Sequence, residues 1–327
     1  MFESELQSAK SIAREAGRIL LEIYATDFGV SYKGQGVSDP VTEADRRVNA
    51  LIVSRLRALF PEDGIVAEES DDHSAALTKR RIWYVDPLDG TKEFIAKNGE
   101  FSVMIGLAVD GSAQLGVVFQ PSADKLYSGI IGQGAQIEHA GRVAELRVSD
   151  TTCPSDLRLV VSRSHRPKST EELMHKLGIT QEAESGSVGV KIGLIAEQRA
   201  DLYVHVSDKA SLWDACGPEA VLRAAGGRFT DLAGQPFQYG QSELRTRRGI
   251  LCCNSAAFFA VRPVVHEIGM REGLLRTASS GSVGTVSAFA LWLLLGACGG
   301  SPATSTTVSA ASYQRFPEKP DGKCYAI

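Results

Sequence analysis

The sequence lacks cysteine pairs at CxxC spacing and a large net charge of either sign. Its six cysteines form no CxxC motif, and no histidine lies at zinc-ligand spacing from them, which argues against a structural zinc module. The net charge of the 327 residues is −4, which argues against the broad basic surface of a general nucleic-acid binder. We therefore expect no nucleic-acid partner, and we interpret most of the cysteines as buried thiols of a cytoplasmic protein.

A long apolar run is also missing. We expect no secretory signal, because the first residues, "MFESELQSAKSIAREAG", are amphipathic and charged. The apolar stretch at residues 283–297 is shorter than the about 20 residues that span a membrane, and it ends at "LGAC", which resembles a bacterial lipobox around Cys298. We interpret residues 270–327 as an appended, poorly ordered tail. The alternatives are membrane association through residues 283–298 and the start of another protein joined in frame at Met270.

The order of the predicted elements favours a fold that mixes helices and sheets, of the α+β or α/β class. Apolar residues at helical spacing predict a helix over residues 4–25, and Thr42 begins a second one. Two β-rich runs flank Asp110-Gly111, which predicts a hairpin inside an antiparallel meander. Strand and helix patterns alternate in the second half. The predicted parts are an α+β metal-binding domain, an α/β domain that completes the site, and the tail, over residues 1–145, 146–269 and 270–327.

The stretch "WYVDPLDGTKEF" places two aspartates at the end of a predicted buried strand. Pro87 forces the chain to leave the sheet, and the turn brings Asp86, the Leu88 carbonyl and Asp89 towards one side. Three oxygen groups around one point suit a hard cation such as Mg²⁺. The alternative interpretation is a polar turn, because Asp and Gly favour turns in any case.

The residues that follow suit an anion. Gly90 permits a close approach of the backbone, and a helix that begins at Thr91 offers N–H groups to a phosphate. An EF-hand loop is excluded because its third position would be Leu88 rather than an oxygen ligand. A phosphatase with an aspartyl nucleophile is excluded because Pro87 occupies the nucleophile position of a D-x-D-G-T motif.

Other carboxylates have a structural and a functional interpretation. Glu68-Glu69 follows a predicted strand and is either a solvated turn or part of a metal site. Thr42 and Asp45 form either a capping box or part of the same site. Asp214 lies at a predicted helix start, where an acidic side chain is favoured by the helix dipole alone. The joint occurrence of these acids in this order favours the functional interpretation.

The motifs "DPVTEAD", "AEES", "DPLDGTKEF" and "WDACGPEAVLRAAGG" resemble those of the inositol monophosphatase superfamily, which are Mg²⁺-dependent, lithium-sensitive phosphatases. The resemblance covers roughly residues 5–268 and implies a layered αβαβα sandwich of the sugar-phosphatase type. The "KEF" continuation at residues 92–94 is most similar to the 3'(2'),5'-bisphosphate nucleotidase branch, as is "GSVGVKIGLIAEQRADLYV".

The resemblance also implies a cofactor and a mechanism. Two or three Mg²⁺ ions supply positive charge, and a metal-activated water attacks the phosphorus directly and in line. Asp45 and Thr91 orient and deprotonate this water, Glu68 helps through the metal shell, and Glu69 supports an outer shell or a third metal. The implied metal ligands are Glu68, Asp86, the Leu88 carbonyl, Asp89 and Asp214.

The implied substrate is adenosine 3',5'-bisphosphate, which would be hydrolysed to AMP and phosphate. An inositol or sugar monophosphate is the alternative substrate, and a catalytically idle binding module is a hypothesis of a different class.

His205 lies where some nucleotidases of this type carry an arginine, which puts the contact with the second phosphate in doubt. The alternative interpretation of His165 is an ordinary surface histidine, and that of Lys191 is a solvated helix lysine. The implied substrate contacts are Glu68, Leu88, Asp89, Gly90, Thr91, His165, Lys191 and Asp214, with Ser187 and Arg163 behind them.

Overall fold

The computed structural model describes residues 2–32, 40–164 and 166–276, and residues Met1–Leu275 form one compact unit. The predicted substrate residue His165 and the predicted tail from residue 277 onward lie outside the described residues. The helices in the described part of the chain are α1 (Glu3–Tyr24), α2 (Glu43–Leu59), α3 (Ser74–Leu77), α4 (Thr91–Ile95), α5 (Ser169–Leu177), α6 (Val188–Ala196), α7 (Leu212–Ala224) and α8 (Phe258–Arg271).

The first two helices form where the sequence predicts them. α1 carries Glu3 and Glu5 in its first turn, where the helix dipole favours acidic side chains. Its buried face repeats at helical spacing and includes Leu6, Ala13 and Leu20. α2 begins after Thr42 with a capping box, so its start is determined locally. Both helices can therefore pack as amphipathic elements on one face of a sheet.

A small separate sheet pairs β1 (Val30–Tyr32) with β2 (Pro40–Thr42). The strands of the first large sheet are β3 (Gly64–Ala67), β4 (Arg81–Asp89), β5 (Ser102–Val109), β6 (Ser112–Gln120), β7 (Lys125–Ile130), β8 (Gly134–His139) and β9 (Arg142–Leu146). This sheet, called the first sheet below, is a meander that begins with one parallel pair. β3 runs parallel to β4, and each later strand is antiparallel to the one before it. The predicted hairpin joins β5 and β6, with positive φ at Asp110 (49°) and Gly111 (78°).

The strands of the second sheet are β10 (Arg158–Ser162), β11 (Gln181–Ser185), β12 (Leu202–His205), β13 (Gly227–Thr230) and β14 (Ile250–Asn254). Their order in the sheet is β11-β10-β12-β14-β13. β10 is parallel to both of its neighbours, whereas β14 is antiparallel to both of its own. Sequence patterns do not predict β11, because four of its five residues are exposed and three of them are Glu or Gln.

Three clusters of buried side chains separate five layers. One lies between the α1/α2 pair and the first sheet, and the next joins the other face of that sheet to α6, α7 and the second sheet. The third lies between the second sheet and α5 and α8. The order is therefore helices, sheet, helices, sheet, helices, which confirms the predicted layered αβαβα sandwich.

Glycines permit the close contact between α7 and the first sheet. A Cβ added to Gly116 would lie 2.1 Å from the Gly217 carbonyl oxygen, and one added to Gly106 would lie 2.4 Å from the Gly217 nitrogen. Because α7 comes from the second half of the chain, this contact links the two predicted domains through a shared cluster. The division at residues 145 and 146 stays a prediction.

No helix in the described residues is long and apolar enough to cross a membrane. The predicted membrane-associating residues 283–298 lie outside the described residues. Cys216, Cys252 and Cys253 are buried free thiols, as expected, whereas Cys153 is half-buried. A cytoplasmic location stays a prediction.

Truncation tests where the packed chain ends. α8 continues to Arg271, past the predicted boundary at residue 269, and the buried Leu275 packs beside Gly269. We expect a chain that ends at Arg276 to unfold in urea like the full chain. A chain that ends at Gly269 should lose about 1.5–3 kcal/mol or more, because it lacks the buried leucine. Equal stability of the two shortened chains would contradict this packing.

Candidate active site

The end of β4 brings two aspartates to one side of the first sheet. In a regular strand, residues three apart point to opposite faces. Here Asp86 pairs with Met104 but Asp89 pairs with Ser102, so the register shifts between the two aspartates. The irregularity re-aims the second side chain in the manner of a β-bulge. Both aspartate side chains are buried.

Gly90 and Thr91 follow this irregular segment. Gly90 has φ +91°, and a Cβ there would lie 2.8 Å from the Glu100 carbonyl oxygen, so both conformation and space require glycine. α4 begins at Thr91. The Thr91 hydroxyl lies 3.1 Å from Asp45 Oδ1 and 3.2 Å from the Leu88 carbonyl oxygen, so its proton has two acceptors beside the aspartates.

Asp45 has both of the roles that its sequence position permits. Its Oδ2 accepts hydrogen bonds from the Thr42 N–H (2.7 Å) and the Thr42 hydroxyl (2.6 Å), which caps α2. Its Oδ1 accepts from Thr91. Burial raises the pKa of Asp45 above its ordinary value, although the bonds from Thr42 and Thr91 oppose this. The carboxylate is therefore a buried base one hydrogen bond from the threonine hydroxyl.

Asp89 is held through a single oxygen. Its Oδ2 accepts from the Ser187 hydroxyl, from the Gly189 N–H at 2.8 Å and from the Ser102 hydroxyl at 3.3 Å. Two of these donors belong to the start of α6, and one belongs to β5. Among the described residues no donor is recorded on Oδ1, so that oxygen remains for another ligand.

Asp214 arrives from the first turn of α7. The Ser211 N–H donates to its Oδ2 at 2.7 Å, within a capping box. Burial, and then the negative charge of Glu68, raises the pKa of Asp214 to about 8. Burial, Glu68 and Asp89 likewise raise the pKa of Asp86 well above its ordinary value. These carboxylates are therefore close enough to repel one another strongly.

Glu68 approaches from β3, beside β4. The Glu68 N–H donates to the Val85 carbonyl at 3.1 Å, so the segment that leaves β3 stays next to the end of β4. Glu68 and Glu69 are both partly exposed. The buried Asn49 on α2 approaches the same segment, with Nδ2 3.5 Å from the Ser70 hydroxyl.

The donor set suits a hard divalent cation. Carboxylates and a carbonyl are the ligands of Mg²⁺, and the main influences on the pKa values of Asp86 and Asp214 are burial and other carboxylates, not a positive side chain. Within the described residues, no three Asp, Glu, His or Cys side chains are already arranged to hold a metal.

The predicted substrate residues differ in how they are placed. Ser187 is buried and donates to Asp89 instead of facing solvent. Lys191 is also buried, which excludes a solvated lysine; its ammonium lies 3.2 Å from the Gly186 carbonyl oxygen and 4.9 Å from the centre of the Tyr203 ring. Burial lowers the pKa of Lys191 to about 8.

Two further residues complete this part of the site. Arg163 is exposed and paired with Glu100 and Glu184. His205 Nδ1 lies 3.4 Å from the Tyr203 hydroxyl. Sequence reasoning did not single out Ser102 or Ser211, although a serine three residues before Asp214 matches a capping box. Nothing in the sequence distinguishes Ser102 from any other strand serine.

Comparisons with known proteins agree on one family. A sequence profile described as the inositol monophosphatase family matches residues 3–258. The chain is 35% identical over 239 residues to the 3'(2'),5'-bisphosphate nucleotidase CysQ of Escherichia coli (strain K12), which covers 73% of this chain and 95% of that protein. It is 30% identical over 243 residues to the protein of the same name from Haemophilus influenzae, which covers 74% and 89%.

Solved structures show the same fold. CysQ from Bacteroides thetaiotaomicron, a bacterial member of the inositol monophosphatase family, aligns with a TM-score of 0.66 at 29% identity and covers 77% of this chain and 98% of that chain. The inositol monophosphatase of Thermotoga maritima aligns with a TM-score of 0.69 at 24% identity, over 83% and 100%. The second similarity concerns the fold alone.

Metal-free protein should become less stable as pH rises. Asp86 and Asp214 have folded pKa values above the ordinary value of about 4, and that of Asp214 is about 8. Between about pH 4 and pH 8 the folded state binds more protons than the unfolded state, so the free energy of unfolding falls as pH rises. Thermal unfolding in EDTA at pH 5 and pH 8 measures this, and Mg²⁺ should protect more at pH 8.

Asp214→Asn is the matched control for this pH dependence. It removes one titrating carboxylate and should reduce the difference between the two pH values in EDTA. A variant with the full wild-type difference would show that the raised pKa values do not govern stability. So would a metal-free wild type that is more stable at pH 8 than at pH 5.

Proposed function

Because the chain belongs to the inositol monophosphatase family, we propose that it is a Mg²⁺-dependent phosphomonoesterase that hydrolyses adenosine 3',5'-bisphosphate to AMP and phosphate. The observation that carries this proposal is the placement of Asp86, Asp89 and Asp214 at the irregular end of β4 and the start of α7, beside the Thr91–Asp45 pair. Burial and neighbouring carboxylates raise the pKa values of Asp86 and Asp214, which supports a cation site there. The 35% identity to a bisphosphate nucleotidase over most of both chains supports this substrate. The acids alone support only the reaction type.

In the three aspartates of the proposed cation site, one oxygen is held by a capping or loop contact and the other oxygen is the proposed ligand atom. Asp86 Oδ1 is taken by the Leu88 N–H at 2.9 Å, and the corresponding Oδ2 atoms of Asp89 and Asp214 are taken by other donors. When bound, two or three Mg²⁺ ions would neutralise this cluster, lower the pKa of a water and stabilise the leaving oxygen. The proposed ligands are Glu68, Asp86, the Leu88 carbonyl, Asp89 and Asp214.

Thr91 and Asp45 are the proposed proton acceptors. The Thr91 hydroxyl can donate to Asp45 Oδ1, which leaves its oxygen lone pairs to accept a hydrogen bond from the attacking water. The water oxygen bonds to phosphorus, its proton passes through Thr91 to Asp45, and the phosphorus–oxygen bond to the ribose breaks in line. The electron pair of that bond leaves on the ribose oxygen, which takes a proton from solvent water to become the 3'-hydroxyl of AMP. The pKa of Asp45, raised by burial, makes it a better base than an exposed aspartate. No covalent enzyme intermediate forms.

The transferred phosphate is proposed to lie against the backbone at Gly90 and Thr91, where α4 begins. The left-handed conformation of Gly90 and its lack of a side chain support a close approach. The metal ligands Glu68, Leu88, Asp89 and Asp214 would face the same phosphate. Contacts of His165 and Lys191 with the second phosphate stay predictions. Because the Lys191 ammonium is buried, we propose that it acts through its charge.

An inositol or sugar monophosphate is the second candidate substrate. The "KEF" resemblance favours a nucleotide, but Glu93 is buried, accepts a hydrogen bond from Ser164 and packs against Gly186. It therefore does not face a base or ribose. This observation weakens the main sequence argument for the nucleotide and keeps the alternative open.

A substrate panel separates the two candidates. We expect Mg²⁺-dependent phosphate release from adenosine 3',5'-bisphosphate with a kcat/KM at least about tenfold above that for inositol 1-phosphate, which is about 1.4 kcal/mol of transition-state preference. AMP and 3'-AMP are matched controls that lack one phosphate each. A preference for inositol 1-phosphate would overturn the nucleotide assignment and retain the reaction type.

The role of the Thr91 hydroxyl can be tested with three side chains at one position. Thr91→Val keeps the shape but removes the hydroxyl that contacts Asp45, so kcat should fall by about 10²–10⁴-fold. Thr91→Ser keeps the hydroxyl and should retain most of the activity. Steady-state kinetics at saturating Mg²⁺ measure both. Comparable kcat values for the Val and Ser variants would contradict a role in moving the proton.

A further inference from the structure

Glu100 links the two halves of the chain beside the acidic cluster. It lies in the segment between α4 and β5. Its Oε1 accepts from Arg163 Nη2 at 2.7 Å, and its Oε2 accepts from Arg163 Nε at 2.9 Å and from the Gly186 N–H at 2.9 Å. Burial opposes the ionised form, but the bonds from Arg163 and Gly186 hold the pKa of Glu100 below its ordinary value. Its charge is thus used within the protein.

Arg163 orients the Glu100 carboxylate through two hydrogen bonds, one to each carboxylate oxygen. The arrangement is bidentate, which fixes the plane of both groups better than a single contact does. Arg163 follows β10 and also contacts Glu184 of β11 at 2.9 Å. The pair therefore attaches the segment before β5 to the edge of the second sheet, at the point where β11 leads into α6.

Both backbone polar groups of Gly186 form hydrogen bonds. Its N–H donates to Glu100, and its carbonyl accepts from the Lys191 ammonium at 3.2 Å. A Cβ at Gly186 would lie 2.0 Å from Glu93 Cγ, and Glu93 is itself buried. Three charged side chains thus restrict this one glycine.

The next residue is Ser187, the N-cap of α6. Its hydroxyl donates to Asp89 Oδ2 and accepts from the Val190 N–H at 3.1 Å. The hydroxyl of Ser102 lies 3.0 Å away and contacts the same aspartate oxygen. The rotamer of Asp89 therefore depends on where Gly186 places Ser187.

We propose that Glu100, clamped by Arg163, is a positioning residue that sets the affinity of the acidic cluster for its divalent cation, because it fixes Gly186 and thereby holds the Ser187 hydroxyl on Asp89. This inference rests on the proposed function. Groups that orient a metal ligand without touching the metal commonly change metal affinity by about 10- to 100-fold when they are removed. Glu100 does not contact the metal ligand Asp89 itself but acts on it through Gly186 and Ser187, so we expect the lower end of that range.

The test measures metal binding without turnover. Metal-free full-length protein is titrated with Mn²⁺, and unbound Mn²⁺ is measured by electron paramagnetic resonance. Glu100→Ala should raise the Kd for Mn²⁺ by about tenfold. Glu100→Gln and Arg163→Ala, which each keep an acceptor for the Gly186 N–H, should raise it less. Thermal unfolding identifies the variants that are folded, and the milder pair serves if Glu100→Ala does not fold.

An exposed ion pair in another part of the chain provides controls for the Glu100–Arg163 pair. Arg80 contacts Asp110 in a similar bidentate arrangement (2.7 and 2.8 Å) at the other end of β4. Arg80→Ala and Asp110→Asn remove a comparable pair and should leave the Kd for Mn²⁺ unchanged. A wild-type Kd in folded Glu100→Ala or, failing that, in both milder variants would overturn the inference. A wild type that binds no Mn²⁺ would overturn the proposed metal site as well.

A double variant tests the route through Ser187. If Glu100 acts by placing this hydroxyl, Glu100→Ala combined with Ser187→Ala should bind Mn²⁺ about as weakly as Ser187→Ala alone. If the two losses multiply, Glu100 acts by another route and the proposed coupling is wrong. For Glu100→Ala, the Mg²⁺ concentration for half-maximal activity should rise as the Kd for Mn²⁺ does, with little change in the KM for substrate at saturating Mg²⁺.

Discussion

Mutual repulsion of buried carboxylates at the end of β4 is the constraint on which the rest of the site depends. Asp86 and Asp214 have raised pKa values because burial and neighbouring acids disfavour their charged forms. The chain tolerates this arrangement by fixing one oxygen of each acid with protein donors, such as the Leu88 and Ser211 N–H groups. Each fixed oxygen restricts the rotamer of its side chain, and a bound cation would balance the charge of the other oxygens.

This constraint explains why distant parts of the chain must meet. β3 and β4 supply Glu68 and the two aspartates, α2 supplies Asp45, and the first turn of α7 supplies Asp214. The glycine contacts between α7 and the first sheet set the distance of Asp214 from the others. The start of α6 reaches Asp89 in the same way. The five-layer order is therefore also the condition for assembling the acids.

Much of this arrangement was predictable from local chemistry. Pro87 in an acidic strand end predicts a change of direction, and the predicted capping box of Thr42 and Asp45 is confirmed by the structure. The interpretation of Asp214 as an N-cap is wrong by three residues, because Ser211 is the N-cap and Asp214 is the acidic partner in its capping box. The capping and functional hypotheses do not exclude each other, because a carboxylate has two oxygens and a cap uses one. The contributions of Ser102 and Glu100 were not predictable, since a strand serine and a loop glutamate have no local pattern. Their importance arises only from tertiary contacts.

The position of Glu93 bears on how a family signature should be interpreted. The "KEF" resemblance points to a branch that acts on nucleotides, yet Glu93 is buried against Gly186 and bonded to Ser164. Its environment favours a role in holding the loop that positions Asp89, which any phosphate ester substrate would need. A signature can thus mark a branch through shared architecture without contacting what distinguishes its substrates. Discrimination between a nucleotide and an inositol phosphate then falls to exposed side chains around the acidic cluster, where few atoms decide the outcome.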